Sequence, residues 1–101
     1  MDEFRFAEVF KALADPTRMK ILSLLRARGK SCCELIGRNE AGLCACDIEQ
    51  AVGLSQAAVS HHMGLLRRAG LVEAEKRGRW IYYRRSEAAL TRLADAIVKV
   101  V

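Results

Sequence analysis

The chain has 101 residues, 51% of them hydrophobic, and a formal net charge of +5 from 17 Lys/Arg against 12 Asp/Glu. That length fits one modest domain, residues 1–101, whose small core would gain from dimerisation. No run approaches the eighteen or so apolar residues of a membrane span and the N-terminus shows no signal-peptide pattern, so a soluble, cytoplasmic protein with no membrane partner is expected.

Residues 3–14 place Phe6, Val9, Phe10 and Leu13 on one helical face, with Phe4 and Ala14 at its edges. Three phenylalanines in so short an element suit burial against a second copy as well as against the chain's own core. Asp15-Pro16 reads as an N-cap followed by proline at the first helical position, where a missing N–H costs nothing. The helix that follows is expected to run to about Arg28, to bury Met19, Ile21, Leu22, Leu24 and Leu25, and to stop at Gly29. Its cations Arg18, Lys20, Arg26 and Arg28 read as a solvated face.

Residues 29–43 contain three glycines and no sustained period, so a long loop is expected, with a short turn of helix or strand around Cys33–Ile36. Loops of this length inside compact domains are usually functional or disordered. A third, short helix should start near Cys46, use Ile48, Ala51 and Val52 as its apolar positions, and end at Gly53. Ser55 is then a good N-cap and Gly70 a good C′ residue for a helix over about 56–69. Val59, Met63 and Leu66 form its apolar stripe. The opposite stripe, Ala57, Ser60, His61, Gly64 and Arg68, is small and hydrogen-bonding and ends in a cation.

Two helices joined by a tight glycine-containing turn make a helix-turn-helix, the second helix being the reader. Gly64 in a helix interior costs roughly 0.5–1 kcal/mol relative to Ala, and close approach to a DNA backbone would explain it. After Gly70 the period becomes two: Val72, Ala74 and Lys76, then Trp80, Tyr82 and Arg84, flank Arg77-Gly78, a hairpin signal. A cationic hairpin directly after a reader helix is a wing. Ser86 caps a last helix whose Leu90, Leu93, Ala94, Ile97 and Val101 form one stripe, expected to pack with the first helix of a partner subunit. The fold class expected is mainly α with a β-hairpin wing, a winged helix-turn-helix homodimer.

Residues 1–50 carry eight Lys/Arg and eight Asp/Glu, while residues 51–101 carry nine against four. All of the cationic excess lies in the half holding the reader and the wing, which points to a polyanion. The expected nucleic-acid residues are Ser55, Gln56, Ala57, Ser60 and His61 on the reader, and Arg67, Arg68, Lys76, Arg77 and Arg79 on phosphates. Base contacts fall to Gln56, Ser60 and His61; His62 should pack at the core edge. Four cysteines in a reducing compartment are normally thiols, so Cys32, Cys33, Cys44 and Cys46 read as metal or redox groups. There is no phosphate-cradling glycine loop, no Ser/His/Asp set in a suggestive context and no Cys-x-x-Cys, so an enzyme is not expected.

Asp15-Pro-Thr-Arg-Met-Lys-Ile-Leu22, Leu43-Cys-Ala-Cys-Asp-Ile48, Leu54-Ser-Gln-Ala-Ala-Val-Ser-His-His-Met63, Leu65-Leu-Arg-Arg-Ala-Gly-Leu-Val72 and Gly78-Arg-Trp-Ile-Tyr-Tyr83 resemble the ArsR/SmtB family of metal-responsive repressors. The resemblance implies a homodimer, joined through the first and last helices, that occupies a pseudo-palindromic double-stranded operator and releases it when an inducer binds. It also implies inducer ligands at Cys44 and Cys46, as in the arsenic- and antimony-responsive members. Three departures qualify it. Glu49 stands where the arsenic-type pattern commonly has a third cysteine. Residues 1–31 hold none of the N-terminal cysteines that the cadmium/lead type borrows. Residues 86–101 offer Glu87 and Asp95 but no histidine for the zinc type.

Cys-x-Cys is awkward on a regular helix, because positions i and i+2 lie about 200° apart. In an extended segment or at a helix start the two can share a side, so chelation would select such a backbone and reshape the front of the third helix. Trivalent arsenic and antimony take three sulfurs, so Cys44 and Cys46 need one more from Cys32 or Cys33, with all four serving Cd(II) or Pb(II) as the alternative. No cofactor is expected in the DNA-bound form. A thiol redox or persulfide switch without metal is the other reading of the same residues.

Overall fold

The computed structural model describes residues 3–27 and 42–100. The chain runs α1 (Glu3–Leu13), α2 (Pro16–Ala27), β1 (Leu43–Cys44), α3 (Ala45–Val52), α4 (Gln56–Arg68), β2 (Val72–Arg77), β3 (Trp80–Arg85) and α5 (Glu87–Val100). The expected end of the second helix at Arg28 and Gly29, the loop holding Cys32 and Cys33, the turn around Cys33–Ile36 and the terminal Val101 lie outside the described residues, as does the side chain of Phe4.

Helix starts follow their caps. The Asp15 carboxylate accepts the Arg18 N–H at 3.0 Å, Ser55 Oγ accepts that of Ala58 at 3.2 Å, and Ser86 Oγ accepts that of Ala89 at 3.2 Å, each satisfying a donor the helix itself leaves unpaired. The Arg18 N–H, followed by the opposing cost of desolvation and the attraction of the Arg18 charge, leaves the Asp15 carboxyl below its ordinary 3.8. α4 ends at Gly70, with φ +79°. There the Gly70 N–H reaches Arg67 O at 2.9 Å and the Leu71 N–H reaches Leu66 O at 3.0 Å, the paired closure of a Schellman end.

The core joins Phe6, Val9 and Ala12 of α1, Ile21, Leu22 and Leu25 of α2, Leu43 of β1, Ile48 of α3, Val59, Met63 and Leu66 of α4, Leu71 just before the wing, Val72 and Tyr83 of the wing, and Leu93 of α5. The stripe expected on the reader helix is thus the one that is buried. Elsewhere the faces differ from expectation. Met19 is 52% exposed: it lies two residues, about 200° of helix, from Ile21, whose side of α2 is the one that packs. Phe10 is 40% exposed, its ring 4.7 Å from that of Phe6, and Ala12 takes the inner position instead. On α5, Leu93 is buried, Leu90 and Ile97 are half-covered and Ala94 is exposed, so within the single chain part of the stripe expected to meet a partner subunit stays uncovered.

The sheet has three strands in the order β1-β3-β2, all antiparallel. β1 is an addition to the expected hairpin, pairing Leu43 with Tyr83 and Cys44 with Tyr82. Arg77 pairs with Trp80, so the two-residue turn is Gly78-Arg79 rather than Arg77-Gly78, with Gly78 at φ +61°. Directly paired residues share a face. Val72, Ala74 and Lys76 therefore lie with Arg85, Tyr83 and Ile81, while Glu73, Glu75 and Arg77 lie with Arg84, Tyr82 and Trp80.

Arg18 is no solvated cation. Its Nε donates to Ala12 O at 2.6 Å, Nη2 to Lys11 O at 3.3 Å and Nη1 to His62 Nδ1 at 3.0 Å, tying the end of α1 and the start of α2 to the reader helix. Replacing Arg18 with alanine should lower stability by about 1–2 kcal/mol. Lysine should not restore it, since one ammonium cannot reproduce the planar fork; chemical denaturation of both variants checks this.

Gly42 enters β1 at φ +98°, and a Cβ there would fall 2.1 Å from Tyr83 O. Gly42→Ala combines a conformation that L residues resist with a backbone clash. It should cost about 2–3 kcal/mol, read as a drop of roughly 10–15 °C in melting temperature.

Candidate thiol site and nucleic-acid interface

Cys44 ends β1 and is also the N-cap of α3, at φ −78° and ψ 160°. Because residue 44 is extended and residue 46 is helical, the 200° divergence of a regular helix does not apply. The two sulfurs meet on one side with Sγ atoms 2.6 Å apart. The backbone that chelation was expected to select is thus already made by the junction of strand and helix, with no unwinding of α3 required to bring the thiols together.

Asp47 joins them, its Oδ2 accepting from Cys44 Sγ at 3.0 Å. One ligand atom from each of Cys44, Cys46 and Asp47 lies within 4.8 Å of the others. Cys44 is fully buried, whereas Cys46 and Asp47 are half-buried, so the group is reached from the Cys46 and Asp47 side. Such a set is chemically able to coordinate a thiophilic ion through two sulfurs with an adjacent carboxylate oxygen. Sequence reasoning misses Asp47 as a donor, although it is the last letter of Cys-x-Cys-Asp; a helix-start aspartate reads first as a dipole partner.

Two routes lead out of this group. α3 runs to Gly53, at φ +69° with its N–H on Glu49 O, and so into α4. Through β1, Cys44 is also the direct strand partner of Tyr82, which is 1% exposed and packs with Cys44 and Cys46. From Tyr82 the tip of the wing is two residues away along β3.

On α4 and its N-cap, Ser55, Gln56, Ala57, Ser60, His61, Arg67 and Arg68 are all exposed: Ala57, His61 and Arg68 lie opposite Val59, Met63 and Leu66, with Gln56, Ser60 and Arg67 along one flank. Gly64 is half-buried, and a Cβ added to it would meet nothing within 4 Å. Nothing among the described residues therefore demands glycine there. His62 is turned inward onto Arg18, as its place at the core edge suggested.

The wing cations are not equivalent. The Arg77 guanidinium is bonded to Glu75, and Arg84 bridges Glu73 at 3.0 Å and Glu75 at 3.1 Å; the bond from Arg77 and then that from Arg84 hold the Glu75 carboxyl below its ordinary 4.5. Arg85 pairs with Glu87 at 3.0 Å. Lys76 and Arg79, together with Arg67 and Arg68 on the helix, have no acidic partner among the described residues. Cys32 and Cys33 lie outside those residues. Among them, no helix is long and apolar enough to cross a membrane.

A helix-turn-helix domain family matches residues 13–75. YbzH, a helix-turn-helix-type transcriptional regulator of Bacillus subtilis, is 38% identical over 90 residues, covering 87% of this chain and 90% of its own. The arsenical resistance operon repressor of Escherichia coli is 39% identical over 79 residues, 78% of this chain and 57% of its own. The CadC homologue of Staphylococcus aureus, a cadmium resistance regulator, is 34% identical over 89 residues, 88% of this chain and 64% of its own. Among solved structures, the homodimeric winged helix-turn-helix DNA-binding domain Mb0332 of Mycobacterium bovis is 32% identical with a TM-score of 0.67, covering 93% of this chain and 76% of that one. Motifs, topology and relatives agree, and the chain belongs to the ArsR family of winged helix-turn-helix transcriptional regulators.

Proposed function

We propose that the chain is a homodimeric repressor whose operator complex dissociates when trivalent arsenic or antimony binds the Cys44 and Cys46 thiolates. The observation that carries this reading is the pair of sulfurs brought to one side at the head of α3, one helix before the reader. The third sulfur is assigned to Cys32 or Cys33. Dimerisation through α1 and α5 is supported by the 40% exposure of Phe10 and the 84% exposure of Val98, apolar groups on the two elements expected to meet.

The ion supplies bonds to sulfur, and this chain's residues do the rest. Cys44 and Cys46 must lose their thiol protons to bind, which removes the donor now bonded to Asp47. A change in the position of Cys44 shifts the start of α3 and the edge partner of Tyr82 together, so reader and wing lose their common register on two successive grooves. Release then follows from the geometry of a two-point contact, without unfolding.

A second reading, Cd(II) or Pb(II) as inducer, is favoured by one observation. A carboxylate oxygen lies 3.0 Å from Cys44 Sγ, and oxygen donors suit those ions better than arsenite. Titrating the duplex-bound dimer with arsenite, antimonite, cadmium, lead, zinc and a mild oxidant, and reading release, ranks them; release by the oxidant alone would assign the thiols to redox control.

Replacing Cys44 and Cys46 with serine should leave duplex affinity within about twofold and abolish release by arsenite. Retained release would remove these residues from the site. Gly64→Ala should stabilise the free protein by about 0.5–1 kcal/mol yet weaken duplex binding, because the added methyl meets no neighbour among the described residues and would meet the DNA. If affinity holds, the small-residue face does not lie against DNA. Duplex affinity should fall steeply with salt. Arg79→Ala should reduce the slope of log K against log salt by about one per protomer, and Arg77→Ala by less, since Glu75 already neutralises that guanidinium.

A further inference from the structure

The tip of the wing carries a group that neither the reader helix nor the thiol site uses. Trp80, the single tryptophan of the chain, opens β3 and is 42% exposed, and the following Ile81 is 40% exposed. The strand pairing puts Trp80 on the face of Arg77 and Ile81 on the face of Lys76. The tip is thus apolar on both faces, and each apolar group sits beside a cation. Arg79, in the turn itself, holds its guanidinium carbon 5.5 Å from the centroid of the indole, within cation–π range.

An exposed indole ringed by basic groups fits a partner that is anionic along its edges and apolar between them. A DNA minor groove has that pattern, with phosphates on both rims and deoxyribose walls inside. An acidic protein surface would match the cations but offers no such walls. The acidic groups at the root of the hairpin do not oppose this, since Glu73 and Glu75 are bonded to Arg84 and Arg77, and the tip beyond them carries Lys76 and Arg79.

Resting on the operator-binding reading, we propose that Trp80 is a minor-groove contact: its indole packs on the deoxyribose wall while Arg79, stacked over the ring, reaches the flanking phosphates. Sugars carry no base identity, so the contact adds affinity and a preference for groove width rather than sequence.

The test uses the full-length protein and a short duplex it has selected from a randomised pool. Because Trp80 is the only tryptophan, its emission reports the tip alone. Saturation with the duplex should cut quenching of that emission by acrylamide severalfold. Trp80→Ala should weaken binding about tenfold, or about 1.4 kcal/mol, with an unchanged salt slope, whereas Trp80→Phe should restore most of the affinity. The unchanged slope distinguishes an apolar group on the sugar wall from the phosphate-neutralising cation that Arg79→Ala removes, and thermal melting shows whether each variant is folded. Acrylamide access that is the same with and without bound duplex overturns the proposal. So does access that falls with protein concentration in the absence of DNA, which would assign the tip to a second copy. Failure to retain any duplex from the pool would instead overturn the operator-binding reading, and this one with it.

Discussion

Cys44 is held by two elements at once. Its backbone closes the edge of the sheet opposite Tyr82 and simultaneously caps α3, and its sulfur is buried against Cys46 and Asp47. A residue fixed in this way cannot move for one element without moving for the other. The sheet leads to the wing and the helix leads through Gly53 to the reader, so the thiol group stands at the branch point of both parts proposed to face DNA. The close approach of Gly42 to Tyr83 O is what lets a strand of two residues dock tightly enough to serve as that branch.

The rest of the core gives the branch point something rigid to act on. α4 touches α1, α2, α3 and β2, and its Val59, Met63 and Leu66 are at most 1% exposed. Cores this closely packed transmit displacement rather than absorb it. Arg18 adds a polar tie from α1 to His62, on the same helix as the exposed Ser60 and His61. The roll of the reader about its axis is therefore set from two sides, by apolar burial and by a directed hydrogen bond.

What the sequence made legible was whatever is local. Asp15, Ser55 and Ser86 announce their helices because a cap acts within three residues, and the α4 stripe follows from a period of 3.6. β1 is invisible in the sequence because Leu43-Cys44 is too short for any period and its partners, Tyr83 and Tyr82, lie about forty residues on. Hydrophobicity alone places Met19 inside, whereas its angular distance from Ile21 puts it outside. The pairing of Cys44 and Cys46 could be anticipated only as a condition on the backbone; the structure supplies that condition through an extended N-cap. Charge was legible by halves of the chain but not in its pairing, since Arg77, Arg84 and Arg85 are engaged by Glu73, Glu75 and Glu87. Among the described wing and reader cations, Lys76, Arg79, Arg67 and Arg68 are left to meet an outside partner.

The function proposed for the chain turns on one ligand at Cys44 and Cys46 disturbing two distant DNA-facing parts together. Hydrogen exchange of the DNA-free dimer with and without stoichiometric arsenite measures this directly. Altered exchange is predicted both in the segment 43–56, through α3 to the start of the reader, and in β3 over 80–85. Arsenite that binds tightly while leaving the exchange of 80–85 untouched would contradict it.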